Sequence, residues 1–127
     1  MKEFDECQPS ELEAYDDAEE TKEQTLRRAK TKLHRRNIEL IKTDPEWLEN
    51  KAEIADLKVA LAIHRNKVAA FYESRAGINP PTDTQLASLK EQLDAVNRLT
   101  ANRRIIGEIV GAVTEAAKTF NEIQPKP

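Results

Sequence analysis

Residues that could perform acid–base, nucleophilic or metal chemistry are few in this chain and are scattered along it. His34 and His64 belong to neither a Glu-x-x-His nor a His-Glu-x-x-His pattern, and no cysteine accompanies them. Cys7, the single cysteine, has no indicated base or helix terminus that would activate a thiolate. The three glycines are isolated, so no glycine-rich phosphate loop is present. We therefore expect a protein that is not an enzyme, with no catalytic residues, cofactor, metal site or small-molecule substrate.

Anion binding is the one chemistry that a cluster of side chains suggests. Arg28, Lys32, Arg35 and Arg36 fall on one side of a helical wheel, opposite an apolar face, and could follow a nucleic-acid backbone. However, no aromatic residue interleaves them, no nucleic-acid-binding motif is present, and the formal net charge is −3. The favoured interpretation is a solvated helix face that pairs with acids of the same protein, and contact with nucleic acid is the alternative.

The charge of the chain is divided sharply between two neighbouring segments. Residues 1–25 carry ten acidic residues against two lysines, whereas residues 26–43 carry seven basic residues against one acid. We expect residues 1–20 to form an acidic N-terminal arm that is largely flexible or partly helical and serves mainly to solvate the protein. If this arm folded over the basic helix, it would compete with an anionic partner, which is a form of autoinhibition.

Composition favours one helical domain in a reducing compartment. The chain has 127 residues, of which 34% are charged and 5% are aromatic, and its runs are rich in good helix formers. The acidic start has no apolar stretch of the length that a signal peptide requires. The most apolar window, residues 105–117, is too short to cross a bilayer. We expect a cytoplasmic protein that has no membrane partner.

Hydrophobic periodicity predicts three long helices, at about residues 21–43, 45–76 and 83–123. Asp44, Pro45 and Glu46 form a helix start, with Asp44 as N-cap. Gly77 is placed as a left-handed cap residue, and a proline turn follows it. The predicted fold is all-α: an elongated antiparallel three-helix bundle or coiled-coil-like helical hairpin over residues 21–123, with residues 124–127 as a tail.

The second predicted helix carries a heptad repeat on its apolar face. Trp47, Ile54, Leu61 and Val68 repeat every seven residues, and His64 lies on the companion row, where it is interpreted as a core histidine. Trp47 is interpreted as a lid at the end of the bundle. The full predicted core consists of Leu26, Leu33, Leu40, Trp47, Ile54, Leu61, Val68, Phe71, Leu86, Leu93 and Val96.

The apolar face of the third predicted helix rotates by roughly a third of a turn across residues 102–104. One interpretation is a gentle wrap or a bend near Gly107, and the other is that the two halves face different partners. Gly107 and Gly111 form a small-xxx-small pair, which favours close packing of helices. The predicted protein interface consists of Ile106, Gly107, Val110, Gly111, Val113, Phe120 and Ile123.

These observations predict a helical scaffold or interaction protein. We expect it to form a homo-oligomer and to bind another macromolecule through its C-terminal apolar helix face or its basic helix. The alternative function is a nucleic-acid-binding accessory protein that uses the basic face of the first helix and is autoinhibited by the acidic arm.

Overall fold

A computed structural model describes residues 1–125, so Lys126 and Pro127 of the predicted tail lie outside the described residues. One turn of 3-10 helix, Phe4–Glu6, precedes four α-helices: α1 Pro9–Ile38, α2 Pro45–Tyr72, α3 Asp83–Arg98 and α4 Ile106–Ile123. The all-helical prediction is confirmed, since residues 1–125 contain no strand, but the prediction of three helices is wrong. None of the helices in this range is both long and apolar enough to cross a membrane.

The acidic segment that was predicted as an arm is the first part of α1. Pro9 occupies the first turn, and a capping box joins Gln8 to Glu11, so the helix begins before the predicted start at residue 21. Tyr15 and Ala18 are fully buried and hold this part of α1 against the core. This part of α1 has only about one core residue per helical turn, and the contacts of Tyr15 and Ala18 are enough to order it.

The long helix α1 is central because it packs against all three other helices. The chain runs up and down, so that α2 lies along α1 and the side-chain amides of Asn37 and Asn50 meet at 2.9 Å near the first connection. Lys32 of α1 reaches the C-terminal end of α3, where its Nζ donates to the carbonyl oxygen of Leu99 at 2.6 Å. The helix α2 packs mainly on α1 and touches α4 only slightly, so it forms one edge of the bundle.

The predicted helix over residues 83–123 is divided into α3 and α4 by a turn over residues 99–105. Leu99 is extended, with φ −71° and ψ 142°, and ends α3. Leu99 and Ile105 both enter the core, so the chain turns back and α4 packs along α3. The hydroxyl groups of Ser88 and Thr119 lie 3.3 Å apart across this pair. A straight helix of this length would have left its second half without a partner in the bundle, and the rotation of the apolar face marks the point where the chain reverses.

The core consists of two apolar clusters with a polar layer between them. One cluster is formed by Leu26, Ala29, Leu33, Ile54, Leu57, Leu61, Val96, Leu99, Ile105, Ile109 and Ala112. The other is formed by Tyr15, Ala18, Phe71, Ile78, Leu89, Ala116, Phe120 and Ile123. The buried polar side chains of Lys22, Thr25, His64 and Lys67 lie between them along α1 and α2. Of the predicted core, Leu26, Leu33, Ile54, Leu61, Phe71 and Val96 are buried, and Leu40, Trp47, Val68, Leu86 and Leu93 are half-buried.

The end of α2 differs from the prediction in which residue takes the left-handed conformation. Ser74 has φ 58°, and the amide of Arg75 closes the turn onto the carbonyl of Ala70 at 2.7 Å. Gly77 serves another purpose, because a Cβ at this position would lie 3.1 Å from the carbonyl oxygen of Lys2. The glycine thus permits the close approach of the N-terminal strand-like segment, which pairs with Ile78.

Candidate functional site

A row of small and apolar side chains runs along the side of α2 that faces away from α1. Its members are Leu48, Ala52, Ala55, Val59, Ala62 and Asn66, here called the outer row, and all of them are exposed. Leu48 and Val59 are 54% and 59% exposed, and the adjacent Ile63 is 55% exposed. The outer row therefore places large aliphatic side chains in water along several turns of one helix.

The exposure of the outer row follows from the position of α2 at the edge of the bundle. The opposite side of α2 is occupied by buried residues such as Ile54, Leu57 and Leu61. A helix that is apolar on both sides is normally covered on both sides. Since α1 covers one side and residues 1–125 supply no helix for the other, this surface is the strongest candidate for a partner-binding site.

Charged side chains border the outer row with opposite sign on its two edges. Lys51, Lys58 and Arg65 follow one edge, and Glu49 and Asp56 follow the other. Within the described part of the chain, Lys51, Lys58 and Asp56 form no ion pair. The charges that flank the middle of the row are thus free to pair with another molecule.

The interface predicted on the C-terminal helix is largely absorbed into the fold. Phe120 and Ile123 are fully buried, and Ile106 and Val113 pack against the core as half-buried residues. The remaining candidates, Gly107, Val110 and Gly111, are exposed, and Val110 is 41% exposed. Atoms beyond the helix backbone do not come within 4 Å of a Cβ built at either glycine, so neither serves a close helix contact within the described chain.

The four predicted anion-binding residues separate into two pairs. Lys32 donates to the carbonyl of Leu99, and the Arg36 guanidinium pairs with both carboxylate oxygens of Glu46, at 2.7 and 2.9 Å. The bidentate contact with Glu46 raises the pKa of Arg36. Arg28 and Arg35 remain exposed. Pairing with an acid of the same protein thus fits Arg36, whereas Lys32 binds backbone carbonyls instead. The two side chains hold together α1, the start of α2 and the α3–α4 turn.

A basic pocket lies between the C-terminal part of α1 and the first half of α2. Its volume is ≈ 390 Å³, and it is lined by His34, Asn37, Lys42, Trp47, Lys51, Ile54, Ala55 and Lys58. The lining contains no carboxylate, and the ammonium of Lys51 lies 5.1 Å from the centre of the Trp47 ring. Trp47 is therefore a half-buried wall of this pocket, and Lys51 and Lys58 belong both to the pocket and to the basic edge of the outer row.

A buried hydrogen-bond network joins α1, α2 and the end of α4. Lys67 donates to the side-chain oxygen of Asn121 at 2.8 Å and to the carbonyl of Gln124 at 2.9 Å. The Gln124 amide donates back to the carbonyl of Lys67 at 2.6 Å, and the Tyr15 hydroxyl donates to Gln124 Oε1 at 2.7 Å. Burial raises the pKa of Tyr15 and lowers that of Lys67. The groups of this network satisfy one another's hydrogen bonds, so the network stabilises this end of the bundle.

Lys22 and His64 complete the polar layer. Burial, with a smaller contribution from Lys67, lowers the pKa of Lys22 to about 8, and its ammonium lies 4.8 Å from the centre of the Phe120 ring. His64 is fully buried, as the sequence predicts, and its Nε2 lies 2.9 Å from the carbonyl oxygen of Glu19. The Nδ1 atom of His64 has no hydrogen-bond partner among the described residues.

Three carboxylates of α1, those of Asp16, Glu19 and Glu20, lie within 4.8 Å of one another. Their spacing of three and four residues places them on one helix face. Repulsion from Asp16 raises the pKa of Glu20. Two of the three are exposed, and the spacing alone accounts for the group.

The outer row is the feature that sequence reasoning missed, although its signal is present. Leu48, Ala55 and Ala62 recur every seven residues, as do Ala52, Val59 and Asn66. The stronger repeat, which includes Ile54 and Leu61, predicts only the buried side of this helix. A second heptad repeat, half a turn away, is visible in the same sequence once small residues are counted.

Comparison of the chain with protein-family models, curated proteins and solved structures found no match. The described residues define an all-helical protein of four α-helices.

Proposed function

We propose that this protein is a non-enzymatic helical interaction protein that self-associates through the outer row of α2. The observation that supports the proposal is the exposure of Leu48, Val59 and Ile63 on one side of a helix whose other side is buried. A second copy of the same surface supplies a partner that is apolar where the row is apolar and charged where its edges are charged.

The energetics favour a modest association. Complete burial of a valine or leucine side chain stabilises by about 1.5–3 kcal/mol relative to exposure. From Leu48 to Asn66 the row spans roughly 27 Å at 1.5 Å per residue. The alanines add little apolar area, but they allow two helices to approach closely. The entropy lost on association offsets part of this gain, so we expect a dimer whose population rises with protein concentration.

Self-association accounts for more of the surface than nucleic-acid binding does. Lys32 and Arg36, two of the four proposed anion ligands, are engaged within the fold. The basic pocket offers other cations, but Lys51 and Lys58 lie on the edge of the outer row, where a second copy would pack beside them. Anion binding at the basic face would also leave the exposed aliphatic side chains of the outer row unexplained.

Val59→Lys tests the proposal, with Val110→Lys as the matched control on the surface predicted from sequence. Both valines are exposed, at 59% and 41%, so neither change removes a core contact. We expect the wild type to show concentration-dependent dimers by light scattering coupled to size exclusion. Val59→Lys should be monomeric at every concentration because it places two ammonium groups in the seam, and Val110→Lys should behave like the wild type.

Two results would contradict the proposal. The first is a wild-type chain that stays monomeric into the high micromolar range. The second is a loss of dimer in Val110→Lys together with its retention in Val59→Lys. Circular dichroism of both variants confirms that the helical content is unchanged.

A further inference from the structure

We propose that two copies of the chain pair with their α2 helices parallel and in register, each outer row facing the same row of the second copy. This inference rests on the proposed self-association and adds its partner and orientation. Three features of α2 carry it: the spacing of the outer row, the signs of the charges at its edges, and the place of its one polar residue.

The spacing of the outer row is that of a two-stranded coiled coil. Intervals of four and three residues alternate along it, so Ala52, Val59 and Asn66 take the a positions and Leu48, Ala55 and Ala62 take the d positions. Two such rows pack knobs into holes with a left-handed crossing. Ala69, the next d position, is half-buried, so the seam ends near Asn66.

The edge charges select the parallel orientation. In this heptad register Lys51, Lys58 and Arg65 occupy g positions, and Asp56 occupies an e position. In a parallel pair a g residue lies beside the e residue five positions later on the other helix, so Lys51 meets Asp56 of the second copy, and the two-fold axis repeats this contact. In an antiparallel pair g rows face g rows, so the basic residues would face one another.

Asn66 selects the same orientation and fixes the register. In a parallel, in-register pair a positions face a positions, so the two Asn66 amides can donate to and accept from each other. In an antiparallel pair a positions face d positions, which are leucine and alanine along this row. The amide would then be covered by apolar groups without a hydrogen-bond partner, at a cost in free energy.

The rest of the fold leaves room for this arrangement. The outer row lies opposite the buried side of α2, which packs on α1, so the two bundles extend away from each other on either side of the seam. Residues that would meet across the seam are exposed in the single chain, and neither Lys51 nor Asp56 has to break an ion pair in order to join.

Cysteine cross-linking tests the orientation. In a Cys7→Ser background, Leu48→Cys and Ala62→Cys place one thiol near each end of the row, and 14 residues correspond to about 21 Å along the helix. Both variants should form disulfide-linked dimers rapidly under mild oxidation. Ala87→Cys, exposed on α3, gives the background rate of random collision.

In an antiparallel pair centred on the row, Leu48 faces Asn66 and Ala62 faces Ala52 of the second copy. Neither variant would then cross-link by itself, whereas an equal mixture of Leu48→Cys and Asn66→Cys would cross-link as the mixed dimer. That result would overturn the parallel arrangement and leave self-association intact. If dimers are present by light scattering and neither the single variants nor that mixture cross-links above the Ala87→Cys rate, the outer row is not the seam.

A charge reversal provides an independent test. Lys51→Glu should raise the dissociation constant of a parallel dimer by roughly three- to tenfold, because it places a carboxylate beside Asp56 of the second copy. Adding Asp56→Lys should restore the wild-type value. In an antiparallel dimer Lys51→Glu would instead tighten association, since it would meet a basic row. Tighter association in this single variant therefore overturns the proposal.

Discussion

Lys22 and Lys67 are both buried, but the fold satisfies them in different ways. Lys67 donates to two oxygen atoms, those of Asn121 and Gln124, at 2.8 and 2.9 Å. Lys22 has the face of the Phe120 ring near its ammonium, and no hydrogen-bond partner appears for it among residues 1–125. Burial lowers the pKa of both lysines, and for Lys22 it does so from 10.5 to about 8. The charged form of Lys22 therefore lowers the free energy of unfolding, because its ammonium is desolvated only in the folded state.

Lys22→Met should therefore stabilise the protein at pH 7, by about 1–3 kcal/mol in the free energy of unfolding. At pH 7 the lysine is protonated in both states, and only the folded state bears the desolvation. Between about pH 8 and 10.5 the unfolded state holds a proton that the folded state lacks, so wild-type stability gains as pH rises. The advantage of Lys22→Met should shrink across that range and vanish above it.

Urea unfolding at pH 7 and pH 10 measures this difference between the variant and the wild type. Lys67→Met is the matched control and should destabilise at pH 7, because it leaves the side-chain oxygen of Asn121 and the carbonyl of Gln124 without their donor. A loss of stability in Lys22→Met at pH 7 would mean that its ammonium is well solvated or better paired than its position indicates.

At the scale of elements, part of the basic face of α1 connects this helix to its neighbours through hydrogen bonds. Lys32 places its ammonium against the carbonyls of Asn97 and Leu99, at 3.2 and 2.6 Å, where α3 ends and its last carbonyls lack helical partners. The favoured interpretation from sequence is a solvated helix face that pairs with acids of the same protein. Arg28 and Arg35 are solvated, and Arg36 pairs with Glu46.

Lys32→Met should lower the free energy of unfolding by about 1–2 kcal/mol, since it removes a charged donor from the last carbonyls of α3. Arg28→Met, on the exposed side of the same helix, should change it by less than about 0.5 kcal/mol. Chemical denaturation of the two variants checks this. Equal changes in the free energy of unfolding for the two variants would show that the contact of Lys32 with the end of α3 does not stabilise the fold.

The helix α2 shows why one strong pattern can hide another. Its buried repeat, which includes Ile54 and Leu61, predicts its packing on α1, and those residues are buried. The exposed repeat of Leu48 and Val59 follows the same seven-residue spacing half a turn away. A helix with two such rows needs a neighbour on each side, and the described chain supplies helices only on the side of the buried row.

At the scale of the whole molecule, the N-terminal residues close one end of the bundle. The amide of Lys2 donates to the carbonyl of Ile78 at 2.7 Å, and the amide of Ile78 donates back at 2.8 Å. The Phe4 ring lies 5.7 Å from that of Phe71 and 5.8 Å from that of Tyr72 in edge-on contacts. The segment predicted as a solvating arm is thus an integral cover over the second apolar cluster.

Phe4→Ala should lower the free energy of unfolding by about 1–3 kcal/mol, less than for a fully buried phenylalanine because Phe4 is half-buried. Met1→Ala, at a side chain that is 68% exposed, is the control and should have little effect. Thermal unfolding followed by circular dichroism compares the two. An unchanged midpoint in Phe4→Ala would support the flexible arm predicted from sequence.

Local signals in the sequence determined where α2 begins and which of its faces is buried. Asp44 and Pro45 set the start of α2, and the apolar period of α2 places His64 inside. These features depend on residues within one or two turns of each other, and short-range sterics and hydrogen bonding fix them.

Only the tertiary structure decided the rest, because periodicity shows that a face is covered without showing what covers it. The rotation of the apolar face near residue 102 fits a bend, a second partner or a reversal, and contact of α4 with α3 and α1 selects the reversal. The acidic segment has few core residues, and Tyr15 orders it only because Phe71 and Phe120 meet it from distant parts of the chain. The outer row of α2 became a candidate interface when the bundle closed without covering it. These outcomes depend on contacts between residues far apart in sequence, which a local pattern does not encode.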